Sequence, residues 1–161
     1  MPGSTPTLAY AGFWRRVLAR LIDQIIIGSI FTILVLLFGF EMFLRIGGLA
    51  FQRHHDSVEL AYLAPFIILF VSLLFLTLLG EWLYYALMES STNQGTIGKL
   101  ALGIKVTDTF GNRLSFGRAT ARHFGKLVSN SMFGVGFLIA AFTERKQALH
   151  DMIASTLVVM K

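Results

Sequence analysis

The sequence predicts an all-α membrane protein with three hydrophobic helical segments and a short polar linker. Hydrophobic residues make up 55% of the 161 positions and charged residues only 14%, and the mean hydropathy is +0.67. Soluble domains carry about 45–50% apolar and about 25% charged residues. Two long apolar stretches can each cross a hydrocarbon core of roughly 30 Å, and a third is shorter and interrupted. Together these observations indicate an integral membrane protein.

Composition also limits the classes of function. The net charge of +5 is typical of basic loops that face the cytoplasm and anionic lipid. Basic residues do not alternate with exposed aromatic residues, so we expect no nucleic-acid binding. The chain has no cysteine, which excludes disulfides, thiolate metal sites and a cysteine nucleophile. We expect a flexible lead-in at residues 1–12 and one transmembrane domain at residues 13–161.

The first segment, from Trp14 to Phe40, contains no ionisable side chain after Asp23. Arg16, Arg20 and Asp23 are spaced i, i+4 and i+7, so they share one stripe of a helix. Arginine side chains can snorkel to the headgroups, but a short carboxylate cannot. Asp23 therefore either pairs with Arg20 or belongs to a polar site that faces other helices or a wet cavity.

The second segment runs from about Leu60 to Met88 and carries Glu81 near its end. Two spans joined by a loop are antiparallel, so Glu81 and Asp23 are expected at similar depth. Arg16, Arg20, Asp23 and Glu81 form a plausible intramembrane charge cluster. The loop at residues 41–59 contains His54-His55-Asp56, but adjacent residues point in different directions and do not form a metal site.

The polar linker after Glu89 begins with a glycine-rich motif. Gly98-Lys99 resembles part of a phosphate-binding loop, but Asn93 replaces the first glycine and Leu100 replaces the Ser/Thr that binds Mg²⁺. A better interpretation is that Thr96 caps a short helix at residues 97–102, which Gly103 ends.

Alternating residues predict a β-hairpin in the linker, with strands at 104–108 and 114–116. The β-branched tail at 156–160 is an alternative partner for the first strand, provided that both lie on the same side of the membrane. That arrangement requires the third apolar segment to be re-entrant.

The third segment, residues 124–142, permits two geometries. Its length favours a single span, which is our expectation. With a span, nine basic residues lie on one side and five on the other, whereas a re-entrant segment places twelve against two. The positive-inside tendency favours the re-entrant geometry, so this alternative stays open.

In its apolar segments and its linker motif, the chain resembles the RDD family of small prokaryotic membrane proteins. This family is named for one arginine and two aspartates. The matching residues are Arg16-x-x-Ala19-x-x-x-Asp23 in the first segment and Leu149-His150-Asp151 near the end. Gly95-Thr96-Ile97-Gly98-Lys99 fits the linker of the family. The resemblance covers roughly residues 10–160, but Arg20 and Glu81 are not features of it.

The resemblance implies transport as one function, and the paired charges are equally consistent with a structural role; a lipid- or metabolite-related role is a third alternative. In the structural role, Arg16, Asp23 and Asp151 fix helix packing in an accessory or assembly subunit. In the transport role, an oligomeric Na⁺/H⁺-type transporter binds a monovalent cation or proton at Asp23, Asp151 and Glu81, with Arg16 as the competing positive partner. We expect no enzymatic activity, catalytic residue, metal or cofactor. The expected setting is the prokaryotic plasma (inner) membrane with a cytoplasmic N-terminus, and the expected partners are lipid, copies of the chain or other membrane proteins.

Overall fold

The computed structural model describes residues 9–52, 60–131 and 135–161. The prediction of a mainly helical membrane protein with a small β element is confirmed. The predicted His54-His55-Asp56 loop lies outside the described residues. The elements, in chain order, are α1 (Phe13–Gln52), α2 (Leu60–Ser90), α3 (Ile97–Ala101), β1 (Ile104–Asp108), α4 (Phe116–Ser131), α5 (Val135–Phe142), α6 (Leu149–Ile153) and β2 (Thr156–Met160).

Helices α1 and α2 contain the two segments that are long and apolar enough to cross a membrane, Phe13–Arg45 and Ala64–Ser90. Helix α1 continues beyond the predicted end at Phe40. The reason is local, because Glu41 and Arg45 form an i,i+4 ion pair of 2.6 Å on its surface. The fall in hydropathy at Glu41 therefore marks the end of the apolar stretch but not the end of the helix.

Contacts within the chain define two compact units. The first contains the start of α1 up to Gln24 together with Trp82–Lys161, and the second contains Ile25–Glu81. The stripe from Arg16 to Asp23, the glycine-rich linker motif and Leu149-His150-Asp151 all lie in the first unit. Its small apolar core combines the start of α1, both strands and the linker through six side chains, Ala11, Ala19, Ile104, Val106, Leu114 and Val158.

The two strands join distant parts of the chain. Strand β1 pairs with β2 in antiparallel register, with Ile104 opposite Met160 and Asp108 opposite Thr156. Tyr10 forms a further bridge to Val159, so residues at the end of the predicted lead-in lie along β2. The predicted hairpin with residues 114–116 is wrong, because α4 begins at Phe116 and the β-branched tail takes the place beside β1.

The third apolar segment lies in two helices, α4 and α5, whose axes are at an angle of 104° to each other. Both a bent span and a re-entrant segment fit this angle. Strand β1 precedes α4 and β2 follows α5, so the pairing of the strands favours the re-entrant geometry.

Candidate functional site

Arg122, on α4, joins two buried carboxylates. Its Nε and Nη2 atoms donate hydrogen bonds of 2.8 and 2.6 Å to Asp151 Oδ1. Its Nη1 atom donates to Glu89 Oε2 over 2.8 Å. The Arg122 side chain is only 3% exposed, and the two carboxylates are still more deeply buried. A buried guanidinium is tolerated when paired with carboxylates in this way.

The second oxygen of Asp151 binds the start of α1. Arg16 Nη1 donates to Asp151 Oδ2 over 2.6 Å, and the Ala148 backbone N–H donates to the same oxygen over 3.1 Å. Arg16 also donates to the carbonyl oxygens of Ala11 and Val158 over 3.1 and 3.4 Å. Asp151 thus accepts four hydrogen bonds, and Arg16 connects α1 to both α6 and β2.

Glu89 connects Arg122 to the linker. Lys99, on α3, donates a hydrogen bond from Nζ to Glu89 Oε1. Lys126 Nζ lies 3.9 Å from the same oxygen, at the limit of an ion pair. We call Arg16, Glu89, Lys99, Arg122 and Asp151 the charge network.

Asp23 is fully buried and binds neutral donors. Its Oδ1 atom accepts hydrogen bonds from the Tyr84 hydroxyl over 2.9 Å and the Gly98 backbone N–H over 2.8 Å. Its Oδ2 atom accepts one from the Thr96 hydroxyl over 2.6 Å. A carboxylate on α1 therefore satisfies donors at the beginning of α3, and the linker is fixed against the first helix.

Gly98 permits this contact because it has no side chain. A Cβ atom at this position would lie 2.1 Å from the Ala19 carbonyl oxygen and 3.0 Å from Asp23 Oδ1. Ala19 is itself fully buried. A small residue on α1 and a glycine on α3 thus allow the two backbones to approach closely.

The predicted charge cluster is divided among different partners. Arg16 binds Asp151, whereas Asp23 binds the linker. The Arg20 guanidinium lies 4.7 Å from the centre of the Phe137 ring, in a cation–π contact. Glu81 belongs to the second compact unit and is partly exposed.

The linker motif is close to these carboxylates. Thr96 and Gly98 bind Asp23, and Lys99 binds Glu89. The Gly95 N–H donates to the Met88 carbonyl oxygen over 3.2 Å in the turn that leaves α2. Thr96 does precede α3 as predicted, but its side chain makes no capping hydrogen bond because the hydroxyl donates to Asp23.

Sequence reasoning missed Glu89 and Arg122 as site residues. Glu89 comes directly after the second apolar segment, and Arg122 is one of several basic residues around the start of the third. A usable signal was the four-residue spacing of Arg118, Arg122 and Lys126, which places them along one side of α4. Within residues 9–52, 60–131 and 135–161, no group of three or more His, Asp or Glu residues is arranged to hold a metal ion.

Electrostatic interactions keep the Asp151 side chain ionised. Burial alone would raise the pKa of Asp151, but the positive charges of Arg122 and Arg16 and their hydrogen bonds lower it below its ordinary value. Burial lowers the pKa of the adjacent His150 to about 3, against the opposing attraction of Asp151. His150 is therefore neutral and Asp151 charged at neutral pH.

Comparisons with known proteins place the whole chain among membrane proteins of one type. The model of the RDD family matches residues 10–155. The uncharacterized protein YxaI of Bacillus subtilis strain 168 is 38% identical over 152 residues, which cover 94% of this chain and 97% of YxaI. The uncharacterized membrane protein YteJ of the same strain is 28% identical over 161 residues, 95% of this chain and 82% of YteJ. No solved structure matches the chain.

Proposed function

The chain belongs to the RDD family of membrane proteins, and from that premise we propose that it is a non-enzymatic accessory or assembly subunit. In this proposal the charge network and the Asp23 contacts hold one fixed arrangement of α1, the linker, α4 and the C-terminal strand. The protein then presents a stable membrane-embedded surface to its partners. The observation that carries the proposal is that both family aspartates are occupied by donors of the protein itself.

The chemistry of those donors supports a structural role. Asp23 is bound by two hydroxyl groups and an amide, and all three direct hydrogen atoms at its oxygens. Asp151 is bound by two guanidinium groups and an amide. A monovalent cation at either carboxylate would have to displace these donors and, at Asp151, approach two arginines. At Asp151, breaking a buried ion pair by removing one partner costs about 3–5 kcal/mol, so this carboxylate is poorly suited to repeated exchange.

We further propose that the N-terminus, the linker and the C-terminus are cytoplasmic. The pairing of β1 with β2 supports this arrangement, as does the bridge from Tyr10 to Val159. With all three segments on one side, twelve of the fourteen basic residues lie there, as the positive-inside tendency favours for the cytoplasmic side of a plasma membrane.

The apolar spans supply the surface for partners. Large hydrophobic side chains along α1 and α2 are widely exposed, among them Leu36, Phe40, Ile68 and Phe75. Lipid, a second copy of the chain or another membrane protein covers such a surface in the membrane.

A flux assay separates this proposal from the transporter alternative, in which Asp23, Asp151 and Glu81 exchange a cation and a proton. Purified protein is reconstituted in proteoliposomes with an internal pH dye, and Na⁺ or K⁺ is added outside. We expect no change in internal pH beyond that of protein-free vesicles. For Asp23→Asn we expect a lower yield of folded protein, because a neutral amide presents an NH₂ group to the existing donors.

Glu41→Gln is the matched control, since it removes an exposed acid from the same helix. We expect normal yield for this variant. A cation-driven pH response that Asp23→Asn abolishes at normal folded yield would refute the accessory role and establish the transporter.

A further inference from the structure

The first compact unit contains a cavity of about 290 Å³ beside the charge network. Basic side chains of α1, α3 and α4 line it, and so do apolar side chains that include Phe13, Val17 and Leu21 of α1 and Phe137 of α5. The basic residues that line the cavity are Arg16, Arg20, Lys99, Arg122 and Lys126.

The charges around this cavity do not balance. Five cations line it, whereas three buried carboxylates, Asp23, Glu89 and Asp151, lie on or directly behind its wall. By number of side chains, the basic residues of this group exceed its carboxylates by two. Uncompensated charge in a poorly hydrated setting is costly, so the excess favours an anion in the cavity.

Two of the cations are available to such an anion. Among the described residues, no carboxylate lies within 4.0 Å of the Arg20 guanidinium, which stacks on Phe137. Lys126 Nζ is 3.9 Å from Glu89 and 3.7 Å from the centre of the Tyr85 ring, and its side chain retains 13% exposure. Arg16, Lys99 and Arg122, by contrast, are committed to carboxylates at hydrogen-bond distance.

We propose that the cavity binds the phosphate group of an anionic membrane lipid between Arg20 and Lys126. On α1 the cavity is lined by residues between Phe13 and Gln24, and a segment long and apolar enough to cross a membrane begins at Phe13. We expect lipid phosphates near this end of such a segment. Its volume is at the lower end of the range for small-molecule sites, about 300–1,000 Å³, and suits a headgroup without its acyl chains. The acyl chains of the lipid would lie along the exposed apolar side of α1, where Leu21 is 52% exposed.

The same chemistry would also bind free phosphate, so the test compares both sources. Full-length protein in a neutral detergent receives phosphatidylglycerol, phosphatidylcholine with the same acyl chains, or inorganic phosphate. Binding is measured by native mass spectrometry and by the shift in Tm. We expect phosphatidylglycerol to bind and raise Tm, and phosphatidylcholine to do neither. Inorganic phosphate should need a far higher concentration because it lacks the apolar contacts.

Arg20→Gln should weaken phosphatidylglycerol binding by about tenfold or more, since a charge-assisted hydrogen bond is lost. Arg15→Gln is the matched control, because Arg15 is an exposed cation at the same end of α1 and does not line the cavity. Lys126→Gln provides a second variant if Arg20→Gln folds poorly. Arg20→Lys should restore part of the affinity.

Three outcomes would decide against the lipid. Equal weakening by Arg20→Gln and Arg15→Gln, or equal binding of both lipids, would overturn the site. Binding of inorganic phosphate as tight as that of phosphatidylglycerol, and lost in Arg20→Gln, would keep the phosphate site and reject a lipid as its source. None of these results depends on the accessory role proposed above.

Discussion

Arg16 and Asp151 lie 135 positions apart in the chain, and their side chains meet over 2.6 Å. Arg16 begins the first membrane helix, and Asp151 is in the short helix before the last strand. Because Asp151 also binds Arg122, one carboxylate holds three separate parts of the first unit together. The exposed pair between Glu41 and Arg45 has the same length of 2.6 Å, and it provides a comparison with a carboxylate that is exposed and has a single charged partner.

Neutralising Asp151 should therefore cost far more stability than neutralising Glu41. For Asp151→Asn we expect the free energy of unfolding in a neutral detergent to fall by about 3–5 kcal/mol, because Arg16 and Arg122 remain buried without their shared partner. For Glu41→Gln we expect a change below about 1 kcal/mol, as for other surface pairs. Equal losses in the two variants would contradict a structural role for the charge network.

Gly98→Ala should prevent the linker from packing on α1. The added Cβ atom would lie 2.1 Å from the Ala19 carbonyl oxygen, and backbone on both sides cannot move apart without breaking the hydrogen bond from Gly98 to Asp23. We expect a large loss of folded yield, measured by size-exclusion chromatography of the detergent-solubilised protein.

Gly117→Ala is the control for this substitution. Gly117 lies in α4, and nothing is within 4 Å of a Cβ atom added there. Alanine is a better helix former than glycine, so we expect unchanged or slightly higher yield. A normal yield for Gly98→Ala would show that the close approach of α3 to α1 is dispensable.

Acid should destabilise the protein before its carboxylates titrate. The pKa of His150 is about 3 in the folded protein and near 6.5 in an unfolded chain, because burial disfavours the charged imidazole. The unfolded chain therefore takes up a proton first as the pH falls, and stability decreases from about pH 6.5 downwards. Asp151, whose pKa is also lowered, adds to the loss only below its ordinary value of 3.8.

The measurement is Tm between pH 8 and about pH 4.5. For the natural chain we expect Tm to fall as the pH decreases below about 6.5, where the unfolded chain takes up the proton of His150. In His150→Asn the decrease of Tm below about pH 6.5 should be smaller, since no imidazole titrates at this position. If Tm decreases as steeply in the variant as in the natural chain, another group is responsible for the pH dependence.

The absence of cysteine makes sidedness simple to measure. Phe110→Cys and Arg145→Cys place single, exposed thiols before α4 and after α5. In intact cells, a membrane-impermeant thiol reagent should label neither, and it should label both after permeabilisation. Arg45→Cys, at the far end of the span in α1, should be labelled in intact cells. Labelling of Phe110→Cys and Arg145→Cys from opposite sides would replace the re-entrant geometry by a span.

The first helix shows what sequence could predict. The spacing of Arg16, Arg20 and Asp23 correctly placed them on one stripe, and the cost of a charge at that depth called for polar partners. It could not identify those partners, because Arg16 and Asp23 are seven positions apart, about 10.5 Å along a helix, and meet different neighbours. Arg16 thus meets Asp151, while Asp23 meets the linker.

The rest of the site depends on packing that has no local signal. Residues 104–108 alternate as a strand should, and the β-branched tail was one of two partners that the sequence offered, but no local feature selected the tail over residues 114–116. Glu89 and Arg122 are 33 positions apart and meet only after α4 has folded against α2. The short helix at Ile97 was predictable because its turn residues and its end at Gly103 are local.

The link between Arg16 and Asp151 has a consequence for biosynthesis. At a translation rate of about 5–20 residues per second, Asp151 leaves the ribosome roughly 7–27 s after Arg16. During that interval α1 is in the translocon or the bilayer with Arg16 lacking its carboxylate. The nascent chain thus passes through a stage in which insertion machinery, headgroups or water must shelter this cation, and a ribosome that stops before Asp151 leaves a product for membrane quality control.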